Sequence, residues 1–119
     1  MDLKTIMQQQ NFVVLGNTVN PEKYAYKIKH GLLEKGYTAY GVSKEFSSIN
    51  EISGDIDVIV FCINAVLGLK LIKECKKQFK YAVIQPGAES EDLLQYLKNS
   101  NIDFIEGCVL VGMSLYPKQ

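Results

Sequence analysis

Asn11-Phe-Val-Val-Leu-Gly-Asn-Thr-Val-Asn-Pro-Glu-Lys-Tyr-Ala-Tyr26 decides how the rest of the chain reads. Phe12 to Leu15 is a short apolar run of strand length, and Gly16 stops it. A polar turn over residues 17–20 follows, and Pro21 then opens a helical pattern. Proline fits a first helical position because its missing N–H would have had no intrahelical partner. Asn20 before it is a favoured N-cap, since its side-chain oxygen can accept from a first-turn amide. A strand, a glycine turn and a helix start bring unpaired N–H groups and the positive end of the helix dipole together. The stretch from Gly16 to Lys23 therefore predicts a docking place for a phosphate-bearing cofactor.

Outward from this stretch, the pattern alternates. A short helix over residues 2–9 places Leu3, Ile6 and Met7 on one face. Helix 21–35 carries a stripe of Ala25, Ile28, Leu32 and Leu33, and Gly36 ends it as a left-handed cap. A second strand spans 37–42. Ile49 and Ile52 mark a short helical turn packed inward, and Gly54-Asp55 reads as a turn. The third strand, 57–63, is almost continuously apolar, as a central parallel strand buried on both faces should be. A helix over 65–80 with Leu69, Ile72, Cys75 and Phe79 inward follows, then a strand over 81–85 and the break at Pro86-Gly87. A helix over 89–100 places Leu93, Leu94 and Leu97 inward, a fifth strand covers 102–106, and residues 107–119 carry no firm pattern.

This alternation predicts one α/β domain over residues 1–119, a Rossmann-like, doubly wound, mostly parallel five-stranded sheet with helices on both faces. Ligands in such sheets lie beyond the carboxyl ends of the strands, where strand order reverses. Four strand exits are thus candidates: 16–20, 42–45, 62–65 and 85–87.

Composition narrows the ligand. Of 119 residues, 13 are basic and 13 acidic, a net charge of zero that gives no basic excess for nucleic acid. No apolar run reaches the length of a membrane span or a signal segment, so the expected location is the cytoplasm. Three cysteines and one histidine at scattered positions argue against a disulfide framework or a zinc site. Gly16 stands alone where a dinucleotide fingerprint needs three glycines, and no Gly-Lys-Ser/Thr follows for a triphosphate loop. What remains is a loop with a hydroxyl, Thr18, and a cation, Lys44, at the neighbouring strand end. That cation would suit an extra phosphate on a ribose.

Several short pieces, in order, carry a resemblance. They are Gly16-Asn17-Thr18, Asn20-Pro21-Glu22-Lys23-Tyr24, the helix ending Leu32-Leu33-Glu34-Lys35-Gly36-Tyr37, Asp57-Val58-Ile59, Gln85-Pro86-Gly87 and Cys108. Together they resemble the small stand-alone coenzyme A-binding proteins, whose Rossmann-like domain also opens the succinyl-CoA synthetase alpha subunit. The resemblance covers about residues 11–111. The departure is at strand two, where the family's Pro-Val-Asn-Pro is Gly41-Val42-Ser43-Lys44 here.

The resemblance implies that coenzyme A or an acyl-CoA is the bound cofactor. Gly16, Asn17 and Thr18 would cradle its pyrophosphate, beside Asn20, Pro21 and Lys23. Val42 would wall the adenine, with Ser43 and Lys44 near the ribose phosphate. Cys62, Ile63 and Asn64 would line the middle, and Gln85, Pro86 and Gly87 would border the pantetheine arm. One of Tyr24 and Tyr26 is expected on the sheet and the other toward the ligand.

Cys108 reads either as a partner for the ligand thiol or as a buried structural thiol, and Cys75 reads as core. His30 lies off the apolar stripe and reads as a surface residue. Lys73, Lys76, Lys77 and Lys80 read as a solvated helix face. Glu89, Glu91 and Asp92 suit a helix start.

No nucleophile, base and orienting group assemble, which favours a carrier, sensor or subunit over an enzyme. Two alternatives stand beside it: an NAD(P)-binding redox enzyme or sensor, and a regulatory protein that has lost its ligand. A homo-oligomer or a partner protein is compatible with all three. Valine at Gly16 is expected to block the ligand's approach while leaving the fold intact.

Overall fold

The computed structural model describes residues 1–118. Its strands are β1 (Asn11–Gly16), β2 (Thr38–Ser43), β3 (Val58–Phe61), β4 (Tyr81–Ile84) and β5 (Asp103–Glu106). Its helices are α1 (Leu3–Met7), α2 (Tyr24–Glu34), α3 (Ala65–Glu74), α4 (Glu91–Asn99) and α5 (Val109–Leu115), with a 3-10 turn at Ile49–Glu51. The five strands form one sheet in the order β2-β1-β3-β4-β5, and every pair is parallel.

The period-two side-chain alternation of a strand sorts the core onto the two sheet faces. Val13, Leu15, Ile59 and Phe61 point to the face covered by α3, α4 and the 3-10 turn, against Ile49, Ile72, Leu93 and Leu97. Phe12, Val14, Val58 and Val60 point to the face covered by α1, α2 and α5, against Ile6, Ile28, Leu32 and Val109. Phe12 to Leu15 is wholly buried, and each such apolar side chain contributes about 1.5–3 kcal/mol relative to exposure. β1 is therefore the spine of both layers.

Helix boundaries differ from the sequence pattern in ways that matter. α2 begins at Tyr24 rather than Pro21, and its N-cap is Lys23, which makes no side-chain capping bond. Residues 20–23 form a separate turn, with the Lys23 amide donating to the Asn20 carbonyl at 3.0 Å and the Glu22 amide to the Asn20 side chain at 3.0 Å. Asn20 thus caps a turn, because its local Asx bond competes with the helical one. The far end behaves as expected: Gly36 has φ +93°, and the amides of Gly36 and Tyr37 donate back to Leu33 and Leu32 as in a Schellman cap. Leu33, placed in the stripe, is 44% exposed.

α3 stops at Glu74, six residues before the pattern suggested. Cys75 and Phe79 still pack on the core, from a loop rather than from a helix. Lys77 holds that loop: its ammonium donates to the carbonyls of Ile52 and of Gly54, the latter at 2.8 Å. It is half-buried, so it does not belong to a solvated face. Lys80 sits 3.6 Å from Asp57. Asp57 in turn accepts from the amides of Gln10 and Asn11 at 3.2 and 2.8 Å, pinning the start of β1 beside β3.

The tail supplies α5. Its seven residues are too few to signal a helix alone, and packing against α1 and α2 orders it, with Val109 and Met113 buried.

Candidate functional site at the carboxyl edge of the sheet

All strands being parallel, the exits of β1 to β4 share one edge. The order reverses at β1, since β2 lies on one side of it and β3 on the other. Gly16 occupies this point with φ +152°. A Cβ there would lie 2.3 Å from the Cys62 carbonyl oxygen and 2.7 Å from Ala25 Cβ. Glycine at 16 is thus required by the packing of β1, β3 and α2 on one another. The expectation that valine would leave the fold intact is corrected by that contact.

The loop beyond Gly16 is tied by its own side chains. Asn17 Oδ1 accepts from the amides of Val19 and Asn20 at 3.2 and 3.1 Å. Thr18 is 1% exposed, and its hydroxyl donates to a Glu45 carboxylate oxygen at 2.6 Å. Lys29 on α2 donates to both Glu45 oxygens at 2.7 Å. The hydroxyl expected to face a phosphate is therefore turned into the protein, toward a carboxylate. Gly41 makes room for this clasp, because a Cβ there would lie 2.0 Å from Thr18 Oγ1. Burial works against the charge on Glu45, but the bonds from Lys29 and Thr18 and the Lys29 charge outweigh it and hold the carboxyl below its usual range.

The end of β2 also departs from expectation. Val42 is 0% exposed and packs into the core with Leu15 and Ile59, so its side chain offers no wall to a ligand. Ser43 and Lys44 are exposed in a tight turn closed by the Ser43 amide to the Phe46 carbonyl at 2.7 Å. Ser43 has φ +120°, a conformation that costs a non-glycine residue about 1–3 kcal/mol.

The remaining predicted residues do converge. Cys62, Ile63, Asn64, Gln85, Pro86 and Gly87, with Ala88, line a cleft of about 270 Å³. A second, mostly apolar cleft of about 230 Å³ shares Cys62, Gln85 and Pro86 and adds Tyr24 and Cys108. Tyr24 is 66% exposed at the start of α2 and links the helix start to this cleft. Tyr26 lies off the sheet instead, stacked on the half-buried His30 with ring centroids 3.9 Å apart. Neither tyrosine packs on the sheet; Ala25 between them does.

Asn64 caps α3 through the Leu67 amide at 3.0 Å. Gln85 is 5% exposed and accepts from the Val109 amide at 2.7 Å, so it caps α5 from across the sheet edge. Gly87, with φ +91°, has its amide bound by Glu89 at 2.8 Å. Glu89 therefore belongs to the loop, and the start of α4 is capped by Ser90, which accepts from the Leu93 amide at 3.1 Å.

Lys29 is the site-edge residue that sequence reasoning did not place; Glu45 lay within the 42–45 exit without a role of its own, and Cys108, read as either a partner for the ligand thiol or a buried thiol, lines the cleft. Burial, and secondarily the neighbouring Cys108, push the Cys62 thiol up. A larger depression of about 510 Å³ lies between α1 and residues 115–118, but no strand exit contributes to it. Among the described residues no cluster of His, Cys, Asp or Glu could hold a metal, and no helix is long and apolar enough to cross a membrane.

Sheet order, helices on both faces and a crevice at the reversal point define a Rossmann-like α/β domain. The family described as CoA binding domain matches residues 10–114, and the chain belongs to it. A conserved hypothetical protein from Pyrococcus furiosus is 32% identical, with a TM-score of 0.79 over 87% of this chain and 98% of that one. A hypothetical protein from Pyrococcus horikoshii OT3 has a TM-score of 0.88 at 18% identity over 97% of this chain and 89% of its own, a likeness of fold alone. A protein from Thermus thermophilus, at 16% identity and a TM-score of 0.81, covers 98% and 99%. No curated protein matches the chain.

Proposed function

We infer that this chain binds coenzyme A, free or acylated, along the carboxyl edge of the sheet, as a non-catalytic carrier, sensor or subunit in the cytoplasm. One observation carries the reading beyond family membership. The start of α2, uncapped by any side chain, opens at the reversal point, and its first residue, Tyr24, also lines the apolar cleft. An anion at the helix start and an apolar arm in the cleft would then belong to one ligand.

In this arrangement the pyrophosphate meets backbone amides at Gly16 to Thr18 and the α2 start, with Asn17, Asn20, Pro21 and Lys23 around it. Thr18 contributes its amide, its hydroxyl being spent on Glu45. Exposed Ser43 and Lys44 flank the ribose phosphate. The pantetheine arm runs between Cys62–Asn64 and Gln85–Gly87.

A thermal-shift panel of coenzyme A, acetyl-CoA, NAD, NADPH and ATP tests this. Ligand at 100 times its dissociation constant should add about 2.7 kcal/mol of stability. Absence of any shift with coenzyme A or its thioester at millimolar concentration removes the reading. Preference for NADPH would replace it with the redox alternative.

A further inference from the structure

Two of the three cysteines line one cavity. Cys62 leaves β3 toward the α2 and α5 side of the sheet. Cys108 follows β5, two strands away, a separation of about 10 Å at the usual strand spacing. The chain crosses that gap after β5. The Gly107 amide donates to the Ile84 carbonyl at 3.0 Å and the Val109 amide to Gln85 at 2.7 Å. These two bonds draw Cys108 back over the exit of β4, into the 230 Å³ cleft that Cys62 also lines. Both are half-buried, with free thiols. Cys75 is placed differently: it packs on the opposite sheet face, and its Sγ lies 3.4 Å from the Lys77 carbonyl.

The geometry points to Cys62 and Cys108 as a dithiol pair that reduces a low-molecular-weight disulfide carrying the pantetheine thiol. This rests on the reading of coenzyme A as the ligand, whose thiol end enters the same cleft. Cys108 attacks as a thiolate one sulfur of the ligand disulfide. That S–S bond breaks, the first ligand thiol leaves and takes up a proton, and a mixed disulfide joins Cys108 to the second. Cys62 Sγ then attacks Cys108 Sγ, and the second ligand thiol leaves with a proton. The protein gives up two electrons and two thiol hydrogens and keeps a Cys62–Cys108 disulfide; the ligand disulfide departs as two thiols. Cys62 takes the second step because burial disfavours its thiolate, making it the poorer first nucleophile toward the incoming disulfide.

The experiment exposes the fully reduced protein to coenzyme A disulfide or to cystamine, then alkylates and maps the cysteines by cleavage at lysine. The expected product is a Cys62–Cys108 cross-link with Cys75 alkylated. It should form at least about tenfold faster with coenzyme A disulfide, because binding holds the reactants together. Cys62→Ser should stop at a mixed disulfide on Cys108. No cross-link, a cross-link through Cys75, or equal rates with the two disulfides overturns the inference. Calorimetric titration of the reduced wild-type protein with coenzyme A separates the two levels. Binding without a cross-link overturns the thiol chemistry alone, and absence of binding overturns the ligand reading and this inference with it.

Discussion

The Thr18 hydroxyl donates to the Glu45 carboxylate across 2.6 Å, joining the loop after β1 to the turn after β2. Lys29 completes the clasp from α2. A carboxylate thus occupies the two side-chain groups, one hydroxyl and one cation, that a phosphate at this corner would otherwise use. The carboxyl is held below its usual range in the folded protein, so its contribution is fully present above the ordinary glutamate pKa and lost as pH falls through the depressed folded value. Wild type should be more stable than Glu45→Gln near neutral pH, and the two melting temperatures should draw together as the pH falls below the ordinary glutamate value of about 4.3. A difference that persists or grows in acid would show that the charge on Glu45 is not what stabilises the clasp.

Gly16→Ala should unfold the domain more easily, by about 2 kcal/mol or more, since one methyl meets a backbone carbonyl and a packed helix. Urea denaturation measures it directly. Stability equal to wild type would mean that β1 and α2 can separate at no cost, and would return Gly16 to a purely ligand-facing role.

Gln85→Leu keeps the volume but leaves the buried Val109 amide without its acceptor. The expected loss is about 1–3 kcal/mol. α5 should open first, seen as faster amide exchange over residues 109–115. Uniform exchange across the chain would show that α5 is held by its apolar face alone.

Lys77→Met removes two bonds from an ammonium to the carbonyls of Ile52 and Gly54. Charged donors of this kind are worth about 1.5–3 kcal/mol each at most, and methionine recovers part of the packing. A net loss of about 1–2 kcal/mol is expected with unchanged coenzyme A affinity, because the loop enters β4 at the edge away from the site. A weaker affinity would show coupling between the two edges of the sheet.

Much of the fold was legible because it rests on local periodicity. Four successive apolar residues at 12–15, the unbroken run at 58–61 and the glycine after α2 each act within a few positions of themselves. Parallel pairing then followed from the alternation of strands and helices. The same reasoning set the exits of β3 and β4 next to each other, where Cys62–Asn64 and Gln85–Gly87 line one cleft, since adjacent parallel strands end side by side.

What local pattern could not decide was which way a side chain turns at a strand exit. Val42 and Thr18 both sit where a ligand wall was expected, and both are buried. The choice was made by Gly41, whose missing side chain lets Thr18 meet Glu45, and by Lys29, sixteen residues from Glu45 on another element. Cys108 reached the cleft because Gln85, across the edge, holds the start of α5. The sequence by itself determined a parallel α/β sheet with a helix start near its reversal point; that this start is Tyr24 and uncapped came from the tertiary structure. Only the tertiary structure decided which groups at that edge are satisfied by the protein and which stay exposed, because burial and partner choice depend on contacts between residues distant in the chain.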